Sequence, residues 1–258
     1  MTTISRLYYD AARPSAFSTL RKLRLDTAAK SADVMKAWLD KHDAYTLHRQ
    51  VRKGFARNPY TVSNVIDVWE CNLLDVLACA KYNDNYRYIL SVIDVFSKYL
   101  HLIHIRTKSG PSVASEFWSI FNDPKYSVGR RPIWMRNDKG KQFLNKQFQD
   151  MLRDGCIQFK VCRNPDLKCA IVERVHRTIR EIIYKYFTYR NMYRYIDVLP
   201  KFVKAYNDTV HSTTGRAPSR VTDSDVLAIW DRMEAAQGRV LVLKAAMFRV
   251  GRHVRISK

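Results

Sequence analysis

The chain has 258 residues and a mass of 30.3 kDa, enough for one substantial core with small flanking modules but not for two ordinary domains. It carries 45 Lys and Arg against 24 Asp and Glu, a net charge of +21, and 47% of its residues are hydrophobic. That apolar fraction excludes a disordered basic tail, because its burial offsets the chain entropy lost on folding. A folded and strongly basic surface favours polyanionic partners, nucleic acid first and an anionic membrane as the alternative.

The sequence also bears on the cellular compartment. It contains no run of about 18 apolar residues, and its first residues lead into a mixed polar stretch rather than a signal-peptide core. The five cysteines are an odd set without a CxxC pair, so we expect neither a disulfide framework nor a zinc site. We predict a protein without a membrane partner, in a reducing compartment.

The chain divides into three parts. Residues 1–60 are basic and predict a helical N-terminal module, with one helix from Ser15 or Ser18 to Leu25 and another over 31–39. Residues 61–220 form the core. Residues 221–258 predict a helix over 224–236 and then an incomplete β segment, 248–256, of the kind that begins a small SH3- or chromo-like barrel.

The core reads as three consecutive antiparallel strands followed by alternating helices and strands. The predicted strands cover 65–77, 86–95, 99–105, 132–135 and 157–161, and the predicted helices cover 109–121, 146–153, 170–189 and 196–207. This order predicts an α/β domain in which a mixed sheet of five strands is flanked by helices.

Acidic residues are the informative minority in so basic a core. Asp138 follows a predicted strand, and Glu173 lies in the first turn of the long helix with Arg177 and Arg180 on the same stripe. Carboxylates beside arginines suit metal-assisted phosphodiester chemistry, because hard oxygen ligands bind Mg²⁺ and cations bind phosphates. The alternative is structural, with the Asp forming a turn and the Glu interacting with the helix dipole.

Four motifs make the core recognisable. They are Val68-Trp69-Glu70-Cys71-Asn72-Leu73, the run from Tyr88 to Lys98, Asn137-Asp138-Lys139-Gly140, and Asn164-Pro165 through Val172-Glu173-Arg174. Together they resemble the catalytic core of retroviral and long-terminal-repeat-element integrases, and most closely the integrases of Polinton/Maverick transposons. The resemblance covers roughly residues 60–220 and implies an RNase H-like fold.

The resemblance also implies roles for individual residues. In this family two Asp and one Glu hold two divalent metal ions, Mg²⁺ or Mn²⁺, and the matching positions here are Asn72, Asp138 and Glu173. Basic residues near the site contact DNA, and the matching ones are Lys139, Lys168, Arg177 and Arg180. Gly140 and Asn164 match the turn and the loop beside the site.

The first of the three acidic positions departs from the family. Asn72 offers a carbonyl oxygen but lacks the charge with which one carboxylate bridges two cations. Asp75 is the nearest acid, yet residues 72 and 75 of a strand point to opposite faces. Glu70 shares the face of Asn72 but lies about 7 Å along the strand. We therefore expect metal binding and catalysis to be weakened.

Two functions of different classes follow. The first is a transposon-derived integrase that processes 3′ ends and transfers strands, catalytically impaired by Asn72. The second is a non-catalytic DNA-binding protein derived from a mobile element. An unrelated RNase H-like nuclease fits less well, because the basic flanks and the Asn164-Pro165 loop match integrases. Either main function implies double-stranded DNA as partner, a nuclear location and, by resemblance, a homo-oligomer.

Overall fold

The computed structural model describes residues 3–27, 31–48, 62–122, 131–137, 140–162 and 169–238. Its helices, in chain order, are α1 (Thr3–Tyr9), α2 (Leu20–Thr27), α3 (Ala32–Leu39), α4 (Asp43–Thr46), α5 (Gly110–Phe121), α6 (Lys146–Asp154), α7 (Ala170–Arg190), α8 (Leu199–Asp208) and α9 (Val226–Gly238). Its strands are β1 (Val68–Asp75), β2 (Tyr88–Asp94), β3 (Leu100–Ile105), β4 (Trp134–Asn137) and β5 (Gln158–Val161).

The five strands form one mixed sheet in the order β3-β2-β1-β4-β5. The first three strands pair antiparallel, and β4 and β5 extend the sheet in parallel beyond β1. β1 is therefore central, and its Asn72 lies opposite Ser91 of β2. The predicted α/β fold with a mixed five-stranded sheet is confirmed.

Each face of the sheet is covered by different helices. Leu74 and Ile89 pack into a cluster with α7 and α8, whereas Cys71, Leu90 and Met135 pack into another with α5 and α6. Because successive strand residues alternate between faces, position 72 of β1 lies on the α7 face together with Glu70 and Leu74. The strand alternation that the sequence predicts therefore places position 72 on the face of the sheet that α7 covers.

The N-terminal helices share the α7 core. Tyr8, Phe17 and Met35 are buried in the same cluster as the apolar side of α7, and Tyr9 stacks on Tyr189 with ring centroids 3.8 Å apart. Lys185, 2% exposed, donates a hydrogen bond to the Phe17 carbonyl at 3.0 Å. The predicted module boundary at residue 60 lies among residues 49–61, outside the described ranges, and stays a prediction.

Several predicted boundaries shift for local reasons. β1 ends at Asp75 because that carboxylate accepts a hydrogen bond from Leu77 N, and a 3-10 helix, Leu77–Tyr82, follows. α2 begins at Leu20, later than both predicted starts: the Ser15 hydroxyl donates to the Asp26 carboxylate at 2.6 Å and the Ser18 hydroxyl to the Ser15 carbonyl at 2.7 Å. α9 begins after a capped 3-10 turn, Asp223–Asp225. The predicted β segment over 248–256 lies outside the described residues.

None of the helices in the described ranges combines the length and the apolar character needed to cross a membrane.

Candidate functional site

α7 presents Glu173 and two arginines on one exposed stripe. The helix begins directly after Cys169, whose carbonyl accepts a hydrogen bond from Glu173 N at 3.1 Å. Glu173, Arg177 and Arg180 are exposed, while Val172, Val175 and Ile179 on the opposite side are buried. At 3.6 residues per turn, positions 173, 177 and 180 follow one another down one side. The helix therefore displays one carboxylate and two guanidinium groups in a row.

These three residues border one open cavity of about 410 Å³. His176, Glu181 and Tyr184 of α7 complete the helix side, and His48 lines it from the N-terminal helices. His48 Nε2 lies 3.0 Å from the Thr188 hydroxyl. The cavity thus combines two carboxylates, Glu173 and Glu181, with the guanidinium groups of Arg177 and Arg180, which can each donate paired hydrogen bonds to a phosphodiester.

The position of Asn72 along α7 follows from its neighbours on β1. Glu70 accepts hydrogen bonds from the first turn of α7, and Asp75 borders a cavity of about 100 Å³ together with Arg180. β1 therefore runs alongside α7. Asn72 lies between Glu70 and Asp75 along the strand, on the face of the sheet towards the helix. Its side-chain oxygen accepts a hydrogen bond from Leu73 N at 2.8 Å.

Asp75 is not placed beside Glu173. It is exposed, its carboxylate caps Leu77 N at 2.9 Å, and it shares its small cavity with Arg180 and not with Glu173. Arg180 lies seven positions beyond Glu173, roughly 10 Å along the helix axis. Asn72 does not line the Glu173 cavity either, so the assignment of position 72 as the first acid stays a prediction.

Four of the predicted site residues lie outside the described ranges: Asp138, Lys139, Asn164 and Lys168. β4, which pairs with β1, ends at Asn137, the residue before Asp138 in the sequence. The convergence of Asn72, Asp138 and Glu173 stays a prediction. Asn137 is fully buried, and within the described ranges neither atom of its side-chain amide has a hydrogen-bond partner.

Glu70 is a site residue whose role the sequence does not reveal. It is 1% exposed, and its Oε2 accepts hydrogen bonds from the backbone N–H groups of Ile171 and Val172, at 3.1 Å each. Arg136 Nη1 lies 3.9 Å from Oε1. Burial raises the pKa of Glu70 to about 7, against the opposing effect of these backbone hydrogen bonds and of Arg136. This carboxyl group fixes the first turn of α7, which carries Glu173.

His176 is a second residue of the cavity that the stripe pattern of the sequence does not indicate. It is 8% exposed, one turn from Glu173, and borders the same cavity. Burial, and then the nearby Arg180, lowers the pKa of His176 to about 4, so the ring is neutral at pH 7. Its Nε2 is buried and has no hydrogen-bond partner in the part of the chain that is described. Its i,i+3 spacing from Glu173 is the signal that could have identified it.

The described residues supply only part of the donor set of a two-metal site. Glu173 supplies one carboxylate and Asn72 a neutral amide oxygen, and the described ranges hold no group of three metal-ligating His, Cys, Asp or Glu side chains. Two divalent cations held close together need bridging carboxylate charge, which an amide does not provide.

Comparisons with known proteins agree with this architecture. No protein-family model matches the chain. Over 177 residues it is 30% identical to a transposon-derived protein of Caenorhabditis elegans, an alignment that covers 69% of this chain and 57% of that protein. The chain therefore spans little more than half the length of this curated relative.

Two solved structures were compared with the chain. One chain of the simian T-cell lymphotropic virus intasome in complex with PP2A regulatory subunit B56 gamma superposes with a TM-score of 0.54 and 14% identity, over 93% of this chain and 74% of that one. The HTLV-2 integrase catalytic core domain in complex with magnesium, in its trimeric form, superposes with a TM-score of 0.49 and 16% identity, over 61% of this chain and 97% of that one. With its mixed sheet and strand order, the chain has the RNase H-like fold of an integrase core.

Proposed function

We propose that this chain is a transposon-derived, integrase-like protein of the Polinton/Maverick type that binds double-stranded DNA. The observation that carries the proposal is the exposed α7 stripe, in which Glu173 is followed by Arg177 and Arg180 around one cavity. The fold and the C. elegans relative support an integrase-like origin. The net charge of +21 supports a polyanionic partner.

The arginines account for DNA binding. Each guanidinium is planar, permanently charged and able to donate two parallel hydrogen bonds to a phosphate. Arg177 and Arg180 lie one and two turns beyond Glu173, so a DNA strand that follows the stripe brings a phosphodiester next to that carboxylate. Lys139 and Lys168 are proposed to extend the same contact, on the basis of the family resemblance.

The proposed reaction is that of integrases, in which water and then a DNA 3′-hydroxyl attack a phosphodiester and release the 3′ oxygen. Magnesium or manganese, when held by two Asp and one Glu, supplies Lewis-acid stabilisation of the charge that develops on the phosphate. This chain contributes Asp138 and Glu173 to such a set and Asn72 in place of the first Asp. We propose that its chemistry is correspondingly impaired.

Asn72 also favours the second candidate, a DNA-binding protein without catalysis. Loss of one acid removes negative charge from the reaction site but leaves the Arg177 and Arg180 surface intact. DNA binding is therefore retained when catalysis is lost. Both candidates include a nuclear location and assembly as a homo-oligomer as parts of the proposal.

The DNA-binding proposal makes a prediction about salt. The affinity of the full chain for a random-sequence duplex should fall linearly with salt on a log-log plot, because phosphate contacts release counterions. Arg177→Gln and Arg180→Gln should each reduce the magnitude of the slope by about one. Fluorescence anisotropy at several salt concentrations measures these slopes.

Arg190→Gln is the matched control, because Arg190 is exposed at the end of the same helix and does not line the cavity. Its slope should equal that of the unmodified chain. Salt-independent binding, or equal slopes for all four proteins, contradicts DNA binding through this stripe.

A further inference from the structure

A second basic surface lies on another side of α7. It is a cleft of about 580 Å³ between α7, the segment 14–25 and the loop that follows α8. Glu181 is the single acid among the described residues that line it, and it already pairs with Lys185 at 2.7 Å. The cations that line the cleft are Arg21, Lys22, Lys98, Arg174 and Arg232. The cleft therefore carries a clear excess of positive charge.

A tight turn between β2 and β3 places Lys98 in this cleft. Asp94 accepts hydrogen bonds from the backbone N–H of Ser97 at 2.6 Å and from its hydroxyl at 2.9 Å, and Lys98 follows with a φ of 68°. Its ammonium group donates a hydrogen bond to the Val95 carbonyl, and the residue is only 6% exposed. Burying an ammonium costs free energy, so a stabilising partner is expected.

The pKa of His211 reflects the positive charge around its ring. Burial is the main reason that its pKa is lowered to about 4, and Lys98, Lys22 and Arg174 lower it further. Three cations from three separate elements therefore act on one imidazole. Thr213 N donates to His211 Nδ1 at 3.2 Å, so the neutral ring carries its proton on Nε2 and is a hydrogen-bond donor there.

The acids near Lys98 do not cancel this charge. Glu70 and Asp94 raise the pKa of Lys98, but burial is the larger effect and, with Arg174, holds it at about 8. The Asp94 carboxylate already accepts hydrogen bonds from Ser97, from Ile66 N at 2.7 Å and from Trp69 Nε1 at 3.1 Å. At pH 7 the basic side chains of the cleft therefore stay positively charged and repel one another.

We propose that this cleft binds phosphate groups. Ammonium and guanidinium groups from the N-terminal helices, the β2–β3 turn, α7 and α9 surround it, and phosphate oxygens accept charge-assisted hydrogen bonds from such groups. A bound phosphate also removes the repulsion between the cations. The source of the phosphate is either a free polyphosphate or the backbone of DNA. The inference is independent of the proposed integrase chemistry, because it uses none of the acids of that site.

Inorganic tripolyphosphate is the probe, and its binding to the full chain is measured by isothermal titration calorimetry at low ionic strength. Lys22→Gln and Arg174→Gln should each weaken binding about tenfold, the effect of losing one hydrogen bond to a charged group. Lys146→Gln on α6, exposed and remote from the cleft, is the control and should bind like the unmodified chain. As a second readout, tripolyphosphate should raise the pKa of His211 in the unmodified chain, measured by histidine NMR.

Competition identifies the source. If duplex DNA displaces tripolyphosphate from the Arg177→Gln/Arg180→Gln variant, the cleft takes DNA phosphates. If DNA does not displace it, the ligand is a free polyphosphate. Either result supports phosphate recognition. Absence of tripolyphosphate binding overturns the inference. So does binding that is equally tight in the Lys22→Gln/Arg174→Gln double variant and leaves the pKa of His211 unchanged. Loss of DNA binding alone would count against the α7 stripe and not against this cleft.

Discussion

Asn72→Asp should increase the rate of phosphodiester cleavage by a factor of about 10³ or more, because a carboxylate at this position restores the missing charge of the acidic set. Asp and Asn are nearly isosteric, and position 72 is half-buried on the α7 face of β1, so the fold should be unchanged. Nicking of a supercoiled plasmid with Mn²⁺ measures the effect without knowledge of the element's ends. A strand-transfer assay measures the complete reaction.

Two controls accompany this experiment. Asn72→Asp/Glu173→Gln should return to the level of the unmodified chain, because it removes a second acid of the set. Asp75→Asn should leave the Asn72→Asp activity in place, since the Asp75 carboxylate accepts a hydrogen bond from Leu77 N at the end of β1 and does not line the Glu173 cavity. Equal nicking by the unmodified chain and by Asn72→Asp refutes the assignment of position 72 as the first acid.

Glu70→Gln should remove a pH dependence of folding stability between pH 5 and pH 8. The pKa of Glu70 is raised by burial to about 7 in the folded chain, above its ordinary value of 4.5. Between these values the unfolded chain releases the proton first, so the folded chain loses stability as pH rises. The loss approaches about 3 kcal/mol by pH 8, at about 1.4 kcal/mol per unit of pKa.

Urea unfolding at pH 5, 6, 7 and 8 tests this prediction. A Gln side chain retains an oxygen that can accept hydrogen bonds from Ile171 N and Val172 N, but it does not ionise. The free energy of unfolding of the variant should therefore rise relative to that of the unmodified chain as pH rises. Glu116→Gln on α5, partly exposed, is the control and should show no such trend. Parallel stability curves for Glu70→Gln and the unmodified chain would contradict the role assigned to the buried carboxyl group.

The sequence predicts the sheet and the α7 stripe well, for a physical reason. Alternation along β1 and the 3.6-residue period along α7 are local properties, and they separate Leu74 from Cys71 and Glu173 from Val172 before any tertiary contact is known. The boundaries fail where a side chain acts locally, as when Asp75 caps Leu77 and ends β1.

The contacts between distant segments could not be predicted in this way. Glu70 meets Ile171 across about 100 residues of chain, and Lys185 meets Phe17 across 168. Periodicity shows that the N-terminal helices have an apolar side but not that this side packs on α7. The phosphate cleft depends on the same packing, because Lys22 and Arg174 come together only when those helices dock.

Binding of Mn²⁺, measured as ions per chain by equilibrium dialysis with electron paramagnetic resonance, tests the central claim that position 72 is the missing acid of a metal site. The Asn72→Asp chain should bind one more ion than the unmodified chain, and adding Glu173→Gln should abolish that gain. The same number of bound ions in the unmodified chain and in Asn72→Asp would show that position 72 is not part of the site.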